Sequence, residues 1–385
     1  MKTLRKIMIA IFALNMAHSL FAGDKPLWVI DIKPPGTNGD QFSYLQELNK
    51  PGSSAKVYFT QDNDILITFF RCEIPDNRKI KNAKDLTPVA FVALLLKEET
   101  RNLIKRVEWS VDESIASTEI YIHVLPEGGY LLRMGDSLQA LDSSLNIIHS
   151  KTLNPLPKKH KYNIVIPSSG YFFMVERWGE EKNFEVIDWR TFETVEKMSA
   201  SDISIKGIWN DRLLAIALSK RKYAWLLEKK IGDSSWTSFG HDLIKLQDAK
   251  FIYNGAIVIT CSMDDSGLFG PSFWFVMKDG KRTDPVIYGK NNLERMGGIL
   301  PSKRSPVIAV VVYKISRIRE FFDIDIAGTN WVDYWDVTTQ QRLLRTTSGN
   351  NIVGGAWSQD GRKHAVLKKK KLEMYDLPTT PAKEE

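Results

Sequence analysis

The chain has 385 residues, 43% of them hydrophobic and 26% charged, an ordinary globular composition with enough apolar residues for a large core. The net charge is +7, and Lys2, Arg5 and Lys6 supply three of those charges, so no nucleic-acid partner is expected. Two cysteines, Cys72 and Cys261, are too few for a disulfide framework.

Residues 1–22 read as a signal peptide. Lys2, Arg5 and Lys6 form a basic opening, residues 7–14 an apolar run, and Ala22 offers a small residue at the cleavage position. Asn15, His18 and Ser19 interrupt the run before it reaches the ~20 apolar residues of a membrane span, so an uncleaved anchor is the weaker reading. No Cys follows Ala22, which argues against lipoprotein attachment. The expected location is secreted or periplasmic, with no stable membrane span after cleavage.

Residues 27–32 form the first strand, and it has no repeat of its own. Seven tight-turn signals follow, marked by Asp62, Gly128, Ser169, Asp211, Gly255, Arg304 and Asp360, at intervals of 66, 41, 42, 44, 49 and 56 residues. Each lies between two strand-like runs. Repeats of roughly 40–45 residues holding several short strands are the pattern of propeller blades, with local insertions lengthening the wider intervals. The second blade reads as strands at 120–124, 129–134, 137–141 and 145–149, the third strand closing on Asp142. The third blade follows with 163–166, 171–176, 184–187 before Asp188, and 194–198. The fourth contains 205–209, 213–218 and 223–227, and the fifth 250–253, 256–261 and 273–277. In the sixth, 307–313, 331–335 before Asp336, and 342–346 are strands. The runs at 257–259 and 307–312 are continuously apolar, as expected of strands covered on both faces.

The last repeat is the clearest. Trp357-Ser358-Gln359-Asp360-Gly361-Arg362 gives strand and tight turn, and residues 372–377 close on Tyr375-Asp376. Pro378 and Pro381 leave this blade no room for a fourth strand, so residues 27–32 are expected to complete it and close the ring. Residues 23–378 thus read as one all-β, seven-bladed β-propeller, followed by a polar tail at 379–385. Cys72 and Cys261 fall in blades that are not neighbours, too far apart for a bridge, and both are expected to be buried thiols.

The Trp357–Arg362 stretch, with Tyr375-Asp376 and Trp335-Asp336, resembles the WD-repeat and YVTN-type (quinoprotein-like) propeller superfamily. Only the last repeat matches the motif well. Most blades lack the Gly-His and Trp-Asp landmarks of WD repeats, so the divergent YVTN-like group fits better. The resemblance implies a propeller and little about activity, since the superfamily carries many functions.

No catalytic or metal motif stands out. His123, His149, His160, His241 and His364 are not at metal-ligand spacing, and neither Cys is close to a His in sequence. Asp264-Asp265-Ser266-Gly267 and Asp323-Ile324-Asp325 lack the full spacing of a calcium loop. No nucleophile elbow or phosphate-binding Gly loop occurs. The chain lacks vicinal cysteines and the length usual for quinone-dependent dehydrogenases, so no cofactor and no metal is expected. Lys368 to Lys371 reads as a solvated surface turn.

Three insertions, at 76–88, 262–272 and 315–330, each join a second strand to a third and so share one face of the ring. Phe269, Arg317, Arg319, Phe321 and Phe322 within them, with Trp331 beside the last, have the composition of interface anchors. Phe321 and Phe322 read equally well as packing beneath a long loop. The expected function is a monomeric, non-catalytic scaffold that binds a protein or cell-envelope polymer. The alternatives are a hydrolase, lyase or lactonase with its site at the channel mouth, or a structural subunit of an envelope assembly.

Overall fold

The structure, a computed structural model, describes residues 26–31, 55–73, 87–154, 161–178, 182–200, 202–218, 223–244, 246–262, 272–288, 294–314, 330–347, 352–368 and 371–377. They form seven antiparallel sheets arranged as a propeller. The sole helical element among them is a one-turn 3-10 helix at Ser117–Glu119. None of the described residues forms a helix long and apolar enough to cross a membrane.

Each sheet is a blade whose strands run in chain order from the inner edge outward, except that the chain's first strand is the outermost of blade 7. Blade 1 holds Lys56–Phe59, Ile65–Glu73, Thr87–Leu96 and Leu103–Ser110. Blade 2 holds Ile120–Val124, Tyr130–Met134, Ser137–Leu141 and Ile147–Thr152. Blade 3 holds Lys161–Val165, Phe172–Trp178, Asn183–Asp188 and Glu193–Ser199. Blade 4 holds Ile203–Trp209, Arg212–Leu218, Tyr223–Lys230 and Thr237–Ile244. Blade 5 holds Leu246–Phe251, Ile257–Ser262 and Ser272–Lys278, with Lys281–Arg282 and Val286–Tyr288 sharing its outer edge. Blade 6 holds Glu294–Pro301, Val307–Lys314, Asn330–Asp336 and Gln341–Thr347. Blade 7 holds Ile352–Trp357, Lys363–Lys368 and Lys371–Asp376, and its outermost strand is Trp28–Asp31.

That outermost strand closes the ring as the sequence led us to expect. Trp28, Val29 and Ile30 pair with Met374, Glu373 and Leu372, and the Leu27 amide donates to the Met374 carbonyl at 2.6 Å. Alternation seats it: Ile30 is 1% exposed while Val29 is 40% exposed. Ile30 enters the apolar seam between blades 7 and 1 with Phe69, Leu94 and Met374. Burying such a side chain contributes about 1.5–3 kcal/mol.

The core is divided among seven such seams, one between each pair of neighbouring blades. Second strands touch both adjacent seams, which explains their unbroken apolar runs: every residue of Ile257–Ser262 is buried. Outer strands alternate instead, as in Leu103–Ser110. Inner strands of blades 4 to 7 each carry a register shift, at Ile205/Gly207, Leu246/Asp248, Met296/Gly298 and Ile352/Gly354. Such bulges bend the inner strand and increase its local twist.

The aspartates that close the third strands cap turns. Asp142 accepts the Ser144 and Asn146 amides at 2.9 and 2.8 Å, Asp188 that of Arg190 at 3.0 Å, and Asp336 that of Thr338 at 2.7 Å. This turn moves one boundary. The fourth strand of blade 2 was expected from residue 145, but Leu145 sits in the turn at φ 62° and the strand is Ile147–Thr152.

No disulfide joins Cys72 and Cys261, and burial raises the Cys261 thiol to about 12. Cys72 corrects one expectation, being half-buried rather than buried. It stands next to the end of its strand, beside a register shift at Arg71/Cys72, and packs against the margin of the seam between blades 1 and 2.

Candidate functional site

Strands alternate in direction within a blade, so the chain's connections sort onto two rims. Connections from second to third strands share one rim, and the three insertions leave from Glu73, Ser262 and Lys314 on it. Phe269, Arg317, Arg319, Phe321 and Phe322 lie outside the described residues. Trp331 stands at the base of the last insertion and is 8% exposed, in the seam between blades 5 and 6.

A polar cluster holds Trp331 there. The Arg345 guanidinium lies 4.8 Å from its ring centroid and donates to Asp333 at 2.6 and 2.7 Å and to Glu294 at 2.9 and 3.2 Å. The Tyr288 hydroxyl donates to Asp333 at 3.0 Å and accepts from Trp335 Nε1 at 2.6 Å. Asp333 has no solvent exposure, and these donors supply what water would otherwise provide. The cluster ties blade 5 to blade 6.

The opposite rim consists of the tight turns between first and second strands. Neighbouring turns are hydrogen-bonded to one another: Ser305 Oγ donates to the Gly361 carbonyl at 3.2 Å, and the Gln359 amide to Asn63 Oδ1 at 2.8 Å. The Asn210 amide donates to the Ser169 carbonyl at 2.8 Å, and the Gly170 amide to Glu127 at 3.4 Å. Gly361, at φ 69°, is required here, since a Cβ would stand 2.3 Å from Ser305 Oγ.

Inside this rim the inner strands surround a cavity of ≈ 290 Å³ at the channel mouth. Blades 1, 2, 3, 6 and 7 all contribute, through Tyr58, His123, Pro167, Pro301 and Trp357 among others, and among the described residues no carboxylate lines it. Lys303 extends from the blade 6 turn to the Pro167 carbonyl of blade 3, at 3.5 Å, so a single side chain bridges blades that are not neighbours. It is exposed to the mouth yet enclosed by the surrounding strands. That enclosure, with Arg304 adding like charge, lowers its pKa to about 8.

Two histidines flank the mouth. Burial, then Lys56 and Lys303, hold His123 down at about 3, so it is neutral at ordinary pH. His364 is 2% exposed, and burial lowers it to about 3 as well. Its Nδ1 is 2.5 Å from the Tyr334 hydroxyl, whose own pKa is pushed far up by burial, so we assign the proton to Tyr334. Nε2 therefore carries the imidazole proton, and it has no hydrogen-bond partner. It points at the inner strand, where a Cβ on Gly355 of the cavity wall would lie 2.9 Å away.

Two larger clefts lie between blades, and ion pairs form at both. In the ≈ 600 Å³ cleft between blades 2 and 3, Lys151 donates to Thr194 at 2.9 Å and pairs with Glu185 at 3.7 Å. In the ≈ 440 Å³ cleft between blades 4 and 5, Arg212 pairs with Glu228 and Lys229 with Glu196. Sequence reasoning named the channel mouth as an alternative site but did not find the residues that line it. It took Lys303 for a turn residue and His123 for an ordinary histidine; the available signal was a turn, Lys303-Arg304-Ser305, with two cations and no acid.

No protein-family model matches the chain, and no curated protein matches it. Solved structures do resemble it in fold. One is a chain of a mitotic checkpoint complex, with a TM-score of 0.54 at 9% identity over 92% of this chain and 93% of that one. The WD40 repeats of RRP9 give 0.53 at 8% identity, covering 92% and 99%. The Pan2 WD40 domain of Neurospora crassa gives 0.50 at 13% identity, covering 94% and 97%. The chain has the fold of the WD40-repeat β-propellers.

Proposed function

We propose that this propeller is an exported, monomeric scaffold that binds another protein at the tight-turn mouth of its channel. One observation carries the reading: a concave mouth lined by aromatic and prolyl side chains, with a single ammonium across it, on a rim of mutually hydrogen-bonded turns. Such a surface is preorganised, so little ordering entropy opposes docking. Half-buried Trp357 and Tyr58 are the rigid aromatic side chains that anchor interfaces. The WD40-like fold adds a rigid scaffold that presents loops on both rims, where binding residues concentrate. Export rests on residues 1–22 alone. The inserted loops of the other rim, with Phe269, Arg317, Arg319, Phe321 and Phe322, form a second contact surface in this reading, and an envelope polymer is the second class of partner.

The test is quantitative affinity purification of the mature chain from its native extract. A Trp357→Ala, Tyr58→Ala double variant is expected to keep its fold by circular dichroism and lose the captured partner by tenfold or more, as for interface anchors worth about 2 kcal/mol each. Unchanged recovery of every captured protein would sink the reading. Sequencing the secreted chain from residue 23 onward checks the export claim.

A further inference from the structure

We infer that the channel mouth takes an acidic segment of a partner polypeptide, with Lys303 receiving a carboxylate; this rests on the protein-binding reading above. Four observations converge. Lys303 has a carbonyl as its hydrogen-bond acceptor, the Pro167 oxygen at 3.5 Å, and no carboxylate among the described lining residues. An ammonium donates three hydrogen bonds, so capacity remains for a ligand. The other ionisable groups acting here do not compensate it: His123 is neutral, while Lys56 and Arg304 share its sign. Enclosure by inner strands strengthens any charge pairing formed in the mouth relative to one on an open surface.

The remaining lining decides between anion classes. Tyr58, Val124, Pro301 and Trp357 present carbon surface around the single cation. A free inorganic anion gains nothing from those walls, whereas a Glu or Asp side chain flanked by apolar neighbours fills both parts of the cavity. A nucleic acid would need several cations in a row to release counterions, and one lysine with two neighbours of its sign does not supply them. An acceptor on the ligand takes up the donors that Lys303 has to spare.

The experiment uses the full mature chain and two peptides carrying fluorescein on the N-terminal amine, fluorescein-Gly-Leu-Glu-Leu-amide and fluorescein-Gly-Leu-Gln-Leu-amide, followed by fluorescence anisotropy. We expect the Glu peptide to bind about tenfold or more tightly than its Gln counterpart, the range of a charge-assisted hydrogen bond. Lys303→Met is expected to abolish that preference with a melting temperature no lower than that of the native chain, and Lys303→Arg to retain it. Reductively ¹³C-methylated protein, with the Lys303 signal assigned through Lys303→Arg, should show that signal moving on addition of the Glu peptide. Equal affinity for the two peptides overturns the acidic specification and leaves protein binding standing. Displacement by acetate or phosphate as effective as by the peptide overturns it in favour of a small-anion site. A Lys303→Met variant that keeps the Glu preference shows that the carboxylate goes elsewhere and overturns the assignment. If neither peptide binds while the native partner is still captured through Trp357 and Tyr58, this inference fails and the reading beneath it survives.

Discussion

At the scale of single residues, burial dictates the titration behaviour, and its sign differs between two groups of the mouth. His364 is held near 3 in the fold but titrates near 6.5 when unfolded, so the unfolded chain takes up its proton first. Its contribution is fully present above pH 6.5 and is lost as pH falls from there toward 3, amounting to about 4–5 kcal/mol across the window. Lys303 does the opposite at the alkaline end. Its folded value of about 8 lies below the unfolded ~10.4, so stability rises as pH climbs through that interval. Urea unfolding between pH 7 and 4 is expected to show a steeper loss for the native chain than for His364→Phe, by about one proton. Parallel curves would mean that another group carries the acid sensitivity. Both residues were read in the sequence as unremarkable positions, since burial is a property of the assembled seam.

At the scale of elements, legibility followed burial. Val307–Lys314 and Ile257–Ser262 announced themselves as unbroken apolar runs because neighbouring blades cover both their faces. The Asp-Gly and Asn-Gly turns were legible because backbone at positive φ needs Gly, as at Gly255 (φ 74°) and Gly361 (φ 69°). Outer strands were not legible. Thr237–Ile244 contains Gly240, His241 and Asp242 in a row, and the outer edge of blade 5 is split into Lys281–Arg282 and Val286–Tyr288. An edge strand needs only one buried face, so its sequence is weakly constrained. The lining of the channel mouth was illegible for a different reason: residues 58, 123, 167, 303 and 357 meet only when the ring is complete. The insertions were placed on the correct connections, second strand to third, and their aromatic residues can be tested directly. A Phe321→Ala, Phe322→Ala variant is expected to keep its melting temperature and lose partner capture, since an exposed anchor contributes about 2 kcal/mol to binding and little to the fold. A melting temperature lowered by an amount matching 3–5 kcal/mol would assign both residues to a loop core instead.

At the scale of the whole molecule, one short strand decides whether the ring has an edge. Removing residues 23–35 takes away the partner of Lys371–Asp376 and bares its backbone donors and acceptors, along with the seam that Ile30 fills. The truncated chain is expected to melt earlier and to aggregate in light scattering; a soluble monomer with native melting would show that the strand is dispensable. The same pairing has a mechanical side. Trp28 lies opposite Met374, near the end of its strand, so the chain leading into residue 28 and the chain leaving residue 376 depart from the same end of one antiparallel pair. Force applied between those two points loads the hydrogen bonds one after another, from Leu27 and Met374 inward, instead of shearing them together. The propeller is therefore a clasp that peels: a tether at one end and a load at the other would open blade 7 at low force while the other six blades, each closed by a continuous stretch of chain, stay shut.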